Sequence, residues 1–327
     1  MPAGPLTSVG IGDDAAVVAA PSGSTVAAVD LLIEGRHFRR DWSSARDVGT
    51  KAAARSLADI AAMGAVNTAL LVALAAPGTL AARWATDLAD GLAAEATRAG
   101  AGIVGGDTAS ADSIIVSVTA LGDLEGRRPV LRSGARPGDV IAVAGPLGRS
   151  AAGLALLTAA SAAGEMPAGN DWAPGQDPAP ALASLVEAHL RPAPPYDAGP
   201  EAARLGATAM IDVSDGLLAD LGHVAAASGV GVDVSSKTLP AGTALLEAAA
   251  WLLARPGLSR TGAAGSPGTM ALNWRLTGGE DHALVAAFPP GTQLPGRWLV
   301  IGEVREGSEV TVDGAPRPGP PGWQHFH

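Results

Sequence analysis

The chain has 327 residues, 47% of them hydrophobic, enough apolar material for one large core or two of medium size. Its 32 acidic and 22 basic residues give a formal net charge of −10, which argues against a protein that tracks nucleic-acid phosphates through a basic surface. Without a single cysteine, disulfides, zinc-thiolate sites, iron–sulfur clusters and cysteine nucleophiles are excluded too, and a cytoplasmic location fits the composition.

Short apolar runs alternate with Ala- and Leu-rich stretches, the grammar of an α/β or α+β fold. The segment 1–14 has neither a basic start nor an apolar run and does not read as a signal peptide. Strands are expected at 15–20 and 25–29 around the turn Pro21-Ser22-Gly23. A helix follows over 47–63, with Asp47 as N-cap and Gly64 as its stop. Next come a strand at 70–74, a helix over 80–99, and strands at 103–104 and 114–120 around an acidic, small-residue turn. The uncharged stretch between Ile60 and Arg83 contains Gly64, Asn67, Thr68 and Pro77-Gly78, so it reads as a helix end and a buried strand rather than a membrane span.

The Gly- and Pro-punctuated segment 132–139 precedes a strand at 140–144 and marks a domain boundary, giving domains 1–138 and 139–327. The second half is expected to contain a helix at 150–160, a strand at 209–213, a helix at 215–227 and a strand at 230–234. Two stretches rich in Gly, Pro and Ser, 163–181 and 255–270, read as surface insertions, and 316–322 as an irregular tail.

Carboxylates stand beside glycines at the ends of the expected strands: Gly12-Asp13-Asp14, Asp30, Gly105-Gly106-Asp107, Asp212-Val213-Ser214-Asp215-Gly216 and Gly278-Gly279-Glu280-Asp281, with Asp59 joining from a helix. Any one of these could be an ordinary turn. Together they suit a divalent cation with hard oxygen ligands and a phosphate approached by backbone amides. Lys51, Arg55 and Asp59, four apart, share one helix face. That spacing leaves open a solvated, salt-paired face and a cationic row leading to a metal-binding aspartate. Gly145-Pro146-Leu147-Gly148 before a helix could cup an anion, although a simple turn also satisfies it. Walker and protein-kinase motifs are absent, so nucleotide chemistry would be driven by metals and carboxylates.

The ordered motifs GIGDDAAV (10–17), Asp30 with LLIEGRHF (31–38), DIAAMGA (59–65), GGDT (105–108), RSGARPGD (132–139), DVSDGLLADLGH (212–223), GGED (278–281) and a terminal GWQHF (322–326) resemble the thiamine-monophosphate kinase family, part of the superfamily typified by aminoimidazole ribonucleotide synthetase. The resemblance spans nearly the whole chain. It implies a two-domain aminoimidazole ribonucleotide synthetase-like fold whose N-terminal domain pairs strands across a homodimer and binds ATP and Mg²⁺. The implied activity is ATP-dependent phosphorylation of thiamine monophosphate to thiamine diphosphate by direct γ-phosphoryl transfer. Partners implied are ATP, thiamine monophosphate and several Mg²⁺ ions, with no nucleic acid and no membrane.

Carried over residue by residue, Asp14, Asp30, Asp59, Asp107, Asp212 and Asp215 look like Mg²⁺ ligands. Gly106, Asp107, Arg132 and Ser214 match ATP-contacting positions, and His37, Glu280 and Trp323 match positions that meet the thiamine substrate. The acceptor is a phosphate, largely ionised near neutral pH, so no general base is required; this agrees with a sequence that displays no His–Asp or Ser–His arrangement. Departures from the family pattern are Ala28 and Val29 before Asp30, Ala58 before Asp59, His282-Ala283 after GGED, and only nine residues ahead of Gly10 where the family carries a helical stretch. They keep open a second reading, a nucleotide- or thiamine-phosphate-binding protein that has lost turnover, beside another ATP-dependent enzyme of the same superfamily.

Overall fold

The computed structural model describes residues 4–9, 15–164, 180–239, 242–255 and 265–323. The chain divides into two units, the first formed by 1–129 with 196–203 and the second by 130–195 with 204–327.

The first unit opens with the short strands β1 (Thr7–Val9) and β2 (Val17–Val18), paired antiparallel. It continues with β3 (Val26–Ile33), α1 (Ala45–Ala62), β4 (Val66–Ala76), α2 (Ala82–Arg98), β5 (Gly102–Ser110) and β6 (Ile115–Asp123). The four longer strands form one sheet in the order β3-β6-β4-β5; only β4 and β5 run parallel. Both edges of this sheet carry candidate residues, Asp30 on β3 and Asp107 on β5.

Helix α1 starts two residues earlier than expected, because Ser44 rather than Asp47 is its N-cap. The Ser44 hydroxyl accepts the Asp47 N–H at 3.1 Å, and the Asp47 carboxylate accepts the Ser44 N–H at 2.9 Å, a reciprocal capping box. The helix is Ala-rich because it is buried on most of its circumference. Its small residues let α2 come close: a Cβ on Gly49 would stand 2.1 Å from the Leu88 carbonyl oxygen, and one on Gly91 would stand 2.1 Å from that of Arg46. Among the described residues of this unit no helix covers the other face of the sheet, and on β3 the side chains of Ala27, Val29 and Leu31 are exposed in alternation. The segment 196–203 belongs to this unit through the buried Tyr196. Its hydroxyl donates to Glu95 at 2.5 Å, and its ring lies 4.5 Å beneath the Arg98 guanidinium.

Helix α5 (Ala198–Arg204) belongs to the first unit but for Arg204, and the second unit contains β7 (Val140–Ala144), α3 (Arg149–Ala163), α4 (Pro180–Leu190), β8 (Ala209–Asp212), α6 (Leu217–Ser228), β9 (Gly231–Val234), α7 (Thr243–Leu253), α8 (Pro267–Thr277), β10 (Leu284–Phe288), β11 (Trp298–Arg305), β12 (Val310–Val312) and β13 (Ala315–Pro316). Its seven strands are ordered β13-β12-β9-β11-β7-β10-β8. Strand β10 was not read from the sequence, yet it is the organiser. It pairs Leu284 with Ala144 on one side and with Asp212 on the other, so the loops after β7 and β8 and the loop before β10 meet at one end of the sheet. An apolar core of β7, β8, β9 and β10 residues with Leu217, Leu221 and Val224 of α6 lies beneath them.

The expected insertion 255–270 is only partly an insertion. Ser266 caps α8 and Pro267 takes its first position, a standard helix start that a count of Gly, Pro and Ser mistakes for loop. Its residues 256–264, and residues 165–179 of the other expected insertion, lie outside the described residues. Among the described residues no helix is long and apolar enough to cross a membrane.

Candidate active site

In the first unit, Asp30 sits on edge strand β3 with its carboxylate turned to α1. The Ser56 hydroxyl is 3.0 Å from Oδ2 and the Arg55 guanidinium 3.5 Å from Oδ1. Lys51 is buried and Arg55 nearly so, so the Lys51–Arg55–Asp59 row is an inward-facing charged row and not a solvated face. Asp59 is half-buried on the same helix. The GGDT motif is not the turn expected from its small residues: β5 runs through it. A Cβ at Gly106 would come within 2.0 Å of the Val72 carbonyl oxygen, so glycine is required for β5 to lie this close to β4. Asp107 is exposed, and its Oδ1 accepts the Thr108 N–H at 2.8 Å.

Asp30 and Asp107 lie on opposite edges of a four-stranded sheet, about 14 Å apart at the usual strand spacing, so the first unit does not bring them to one point. His37 is half-buried in the turn after β3, where its Nδ1 accepts the Ile33 N–H at 3.0 Å; Phe38, not His37, is the core residue of this turn. Asp14 lies outside the described residues.

The second unit gathers more. The loop 213–216 and the loop 278–283 are stitched together by the Val213 N–H to Ala283 (2.8 Å), His282 N–H to Val213 (3.0 Å) and Glu280 N–H to Ser214 (2.9 Å) bonds. Gly279 must be glycine, since a Cβ there would stand 2.2 Å from the Ser214 carbonyl oxygen. The Trp323 N–H donates to the Asp215 carbonyl at 2.9 Å, which pins an indole 67% exposed beside the same loop. Asp212, Ser214, Asp215, Glu280 and Trp323 are thereby neighbours. Arg132 is not among them. Its carbonyl accepts from Ser228 at the C-terminal end of α6, whereas Ser214 and Asp215 lie at the N-terminal end, about 18 Å away for a helix of this length.

Four further residues belong to this site: Asp220 and His189, which the sequence did not single out, and Asp281 and His282, noted there only as part of GGED and as a departure after it. The Asp220 carboxylate reaches back from α6 to accept the N–H groups of Ser214, Asp215 and Gly216 at 3.0, 3.1 and 3.0 Å. Even so, burial and the charges of Asp212 and Asp215 push it up to about 7. Asp281 fills the N-terminus of α3, accepting from Gly148 at 2.5 Å and Ser150 at 2.8 Å; burial pushes it up to about 6 against those amides. The 145–148 turn thus does cup an anion, and the anion is the protein's own. His282 is buried with Nδ1 3.0 Å from Asp212 Oδ2, and buried His189 has Nδ1 3.0 Å from Ser150 Oγ.

These two contacts correct the expectation that neither a His–Asp nor a Ser–His arrangement is present. They join residues 70 and 39 positions apart, a distance at which no local pattern signals contact. Asp281 was legible as part of GGED, but nothing in that motif distinguishes a ligand from a cap.

Among the described residues no group of three or more His, Asp or Glu side chains is gathered to hold a metal ion. The donor chemistry in the second unit nonetheless fits Mg²⁺: all-oxygen carboxylates, close enough for Asp212 and Asp215 to raise Asp220, form an excess of negative charge that a hard divalent cation offsets.

Residues 12–124 match the family described as AIR synthase related protein, N-terminal domain, and residues 136–272 match its C-terminal domain. The chain is 49% identical over 319 residues to the thiamine-monophosphate kinase of Mycobacterium tuberculosis strain H37Rv, covering 97% of this chain and 86% of that protein. Among solved structures it resembles thiamine monophosphate kinase from Aquifex aeolicus (TM-score 0.76, 30% identity, 92% of this chain and 91% of that one). It also resembles AaThiL complexed with AMPPCP and TMP (TM-score 0.79, 32% identity, 97% and 92%). The chain belongs to the thiamine-monophosphate kinase family of AIR synthase related proteins.

Proposed function

We propose that this chain transfers the γ-phosphoryl group of ATP to thiamine monophosphate, giving thiamine diphosphate and ADP. Kinship with named thiamine-monophosphate kinases supports this reading. The observation that carries it for these residues is the joined loops 213–216 and 278–283, where carboxylates, glycine-flanked amides and an exposed indole meet.

The acceptor phosphate has a second pKa of about 6 and is already nucleophilic at neutral pH. Catalysis then amounts to charge cancellation and in-line alignment. Asp14, Asp30, Asp59, Asp107, Asp212 and Asp215 would hold Mg²⁺, with Asp30 and Asp107 serving different ions. Bound Mg²⁺ supplies neutralisation of two polyanions. Gly106, Asp107, Arg132 and Ser214 would contact ATP. His37, Glu280 and Trp323 would take the thiamine moiety, the Trp323 indole stacking on a cationic ring and the Glu280 carboxylate offsetting its charge. His282 and His189, 2% and 4% exposed, hold their neighbours and take no proton from the substrate. With [γ-³²P]ATP and thiamine monophosphate, label passes straight to thiamine diphosphate; label found on the protein after a rapid quench would contradict direct transfer.

The exposed face of the first unit's sheet supports a homodimer. Val29, Leu31 and Leu71 are 64%, 50% and 39% exposed there, an apolar stripe that a second copy would cover. Leu31→Glu is expected to convert the dimer to a monomer in sedimentation, and a monomeric parent protein would contradict the assignment. A cytoplasmic location accords with the substrates.

A further inference from the structure

Glu280 is held in an unusual way. Its backbone has φ +64°, a conformation costly for a residue with a side chain. The Glu280 N–H is tied to Ser214, and the following residue, Asp281, is fixed by the amides of Gly148 and Ser150. The side chain has its own support: Oε2 lies 3.5 Å from Nδ1 of His189, which also stands 3.0 Å from Ser150 Oγ. Contacts therefore close a ring, from Asp281 through Ser150 and His189 back to Glu280.

The His189 Nδ1 thus stands between the Ser150 hydroxyl oxygen at 3.0 Å and the Glu280 carboxylate at 3.5 Å, and in the tautomer with its proton on Nδ1 it turns a positive N–H toward both. Its ring is 4% exposed, so the donor is rigid, while the Glu280 side chain remains 25% exposed and able to meet a ligand.

We propose that His189, fixed by Ser150, is a positioning residue that aims the Glu280 carboxylate at the cationic portion of the phosphoryl acceptor and so sets preference for a cationic acceptor. The inference rests on the reading of Glu280 as a substrate contact. Helix α4, which carries His189, contributes no other residue to the site as assigned above, and the contact cannot be found from motif spacing.

The test is steady-state kinetics of the full chain carrying His189→Phe, His189→Gln, His189→Asn or Glu280→Gln, each with a thermal melt. Asn sets its amide near the Nδ1 position, whereas Gln sets it near Nε2 and leaves Nδ1 vacant. His189→Phe and His189→Gln are expected to raise KM for thiamine monophosphate about tenfold, the scale of one hydrogen bond to a charged group, with KM for ATP unchanged. His189→Asn is expected to restore the parent value, and Glu280→Gln to raise the same KM at least as far. If Phe prevents folding, Gln carries the comparison. Equal rises in both KM values, or a parent-like KM in the Gln variant while Glu280→Gln raises it, would overturn the positioning role alone. A Glu280→Gln variant with parent-like KM would overturn the reading of Glu280 and the inference with it.

Discussion

Asp107→Ala is expected to lower kcat on the order of 10³-fold while leaving the melting temperature within about a degree. The first half follows from the proposed role: a carboxylate that holds Mg²⁺ against the nucleotide phosphates contributes several kcal/mol to the transition state, and each 1.36 kcal/mol is a factor of ten. The second half follows from the structure. Asp107 is exposed on an edge strand and its Oδ1 accepts one N–H, that of its own neighbour Thr108, so no buried group is orphaned by its loss. Parent-like turnover in this variant would remove Asp107 from the metal site; a collapsed melt would make it structural.

The second large effect is on stability. Asp281→Ala removes the acceptor of two amides at the buried start of α3, those of Gly148 and Ser150. Two orphaned donors and the lost cap amount to roughly 3–5 kcal/mol near pH 4. The pH dependence has a definite sign. Burial pushes the Asp281 carboxyl up to about 6, above its ordinary 3.8, so the native state favours the protonated form. The stability this supplies is complete below about pH 4 and is lost as pH rises through about 6, on the order of 3 kcal/mol in all. The variant lacks this loss. Denaturant titrations of parent and variant should therefore differ most near pH 4 and converge once pH has risen past about 6. Curves that run parallel or diverge with rising pH would contradict the burial-dominated shift.

What was legible in the sequence was the chemistry of the acid–glycine clusters and the order of the main elements. Gly279 and Asp215 each belong to a glycine–carboxylate pair, Gly279-Glu280 and Asp215-Gly216, and both lie in the joined loops. What was not legible came from long-range contact. Ser44 took the cap from Asp47 because the choice depends on which side chain can return to which amide. The β5 strand ran through GGDT because pairing with β4 overrides the low strand preference of glycine. Segment 196–203 joined the first unit through one tyrosine hydroxyl and one stacked guanidinium, neither of which marks a boundary in composition. Arg132, close to Ser214 in the functional expectation, is tied to the far end of α6 by Ser228.

Phosphoryl transfer between ATP and thiamine monophosphate is read out by product formation. Purified protein with ATP, Mg²⁺ and thiamine monophosphate is sampled over time, and thiamine diphosphate is quantified by thiochrome fluorescence after chromatography. Product is expected to accumulate with time and to vanish when ATP, Mg²⁺ or protein is omitted. No product, from a folded protein that still binds both ligands in calorimetry, would contradict it and mark the chain as a binding protein.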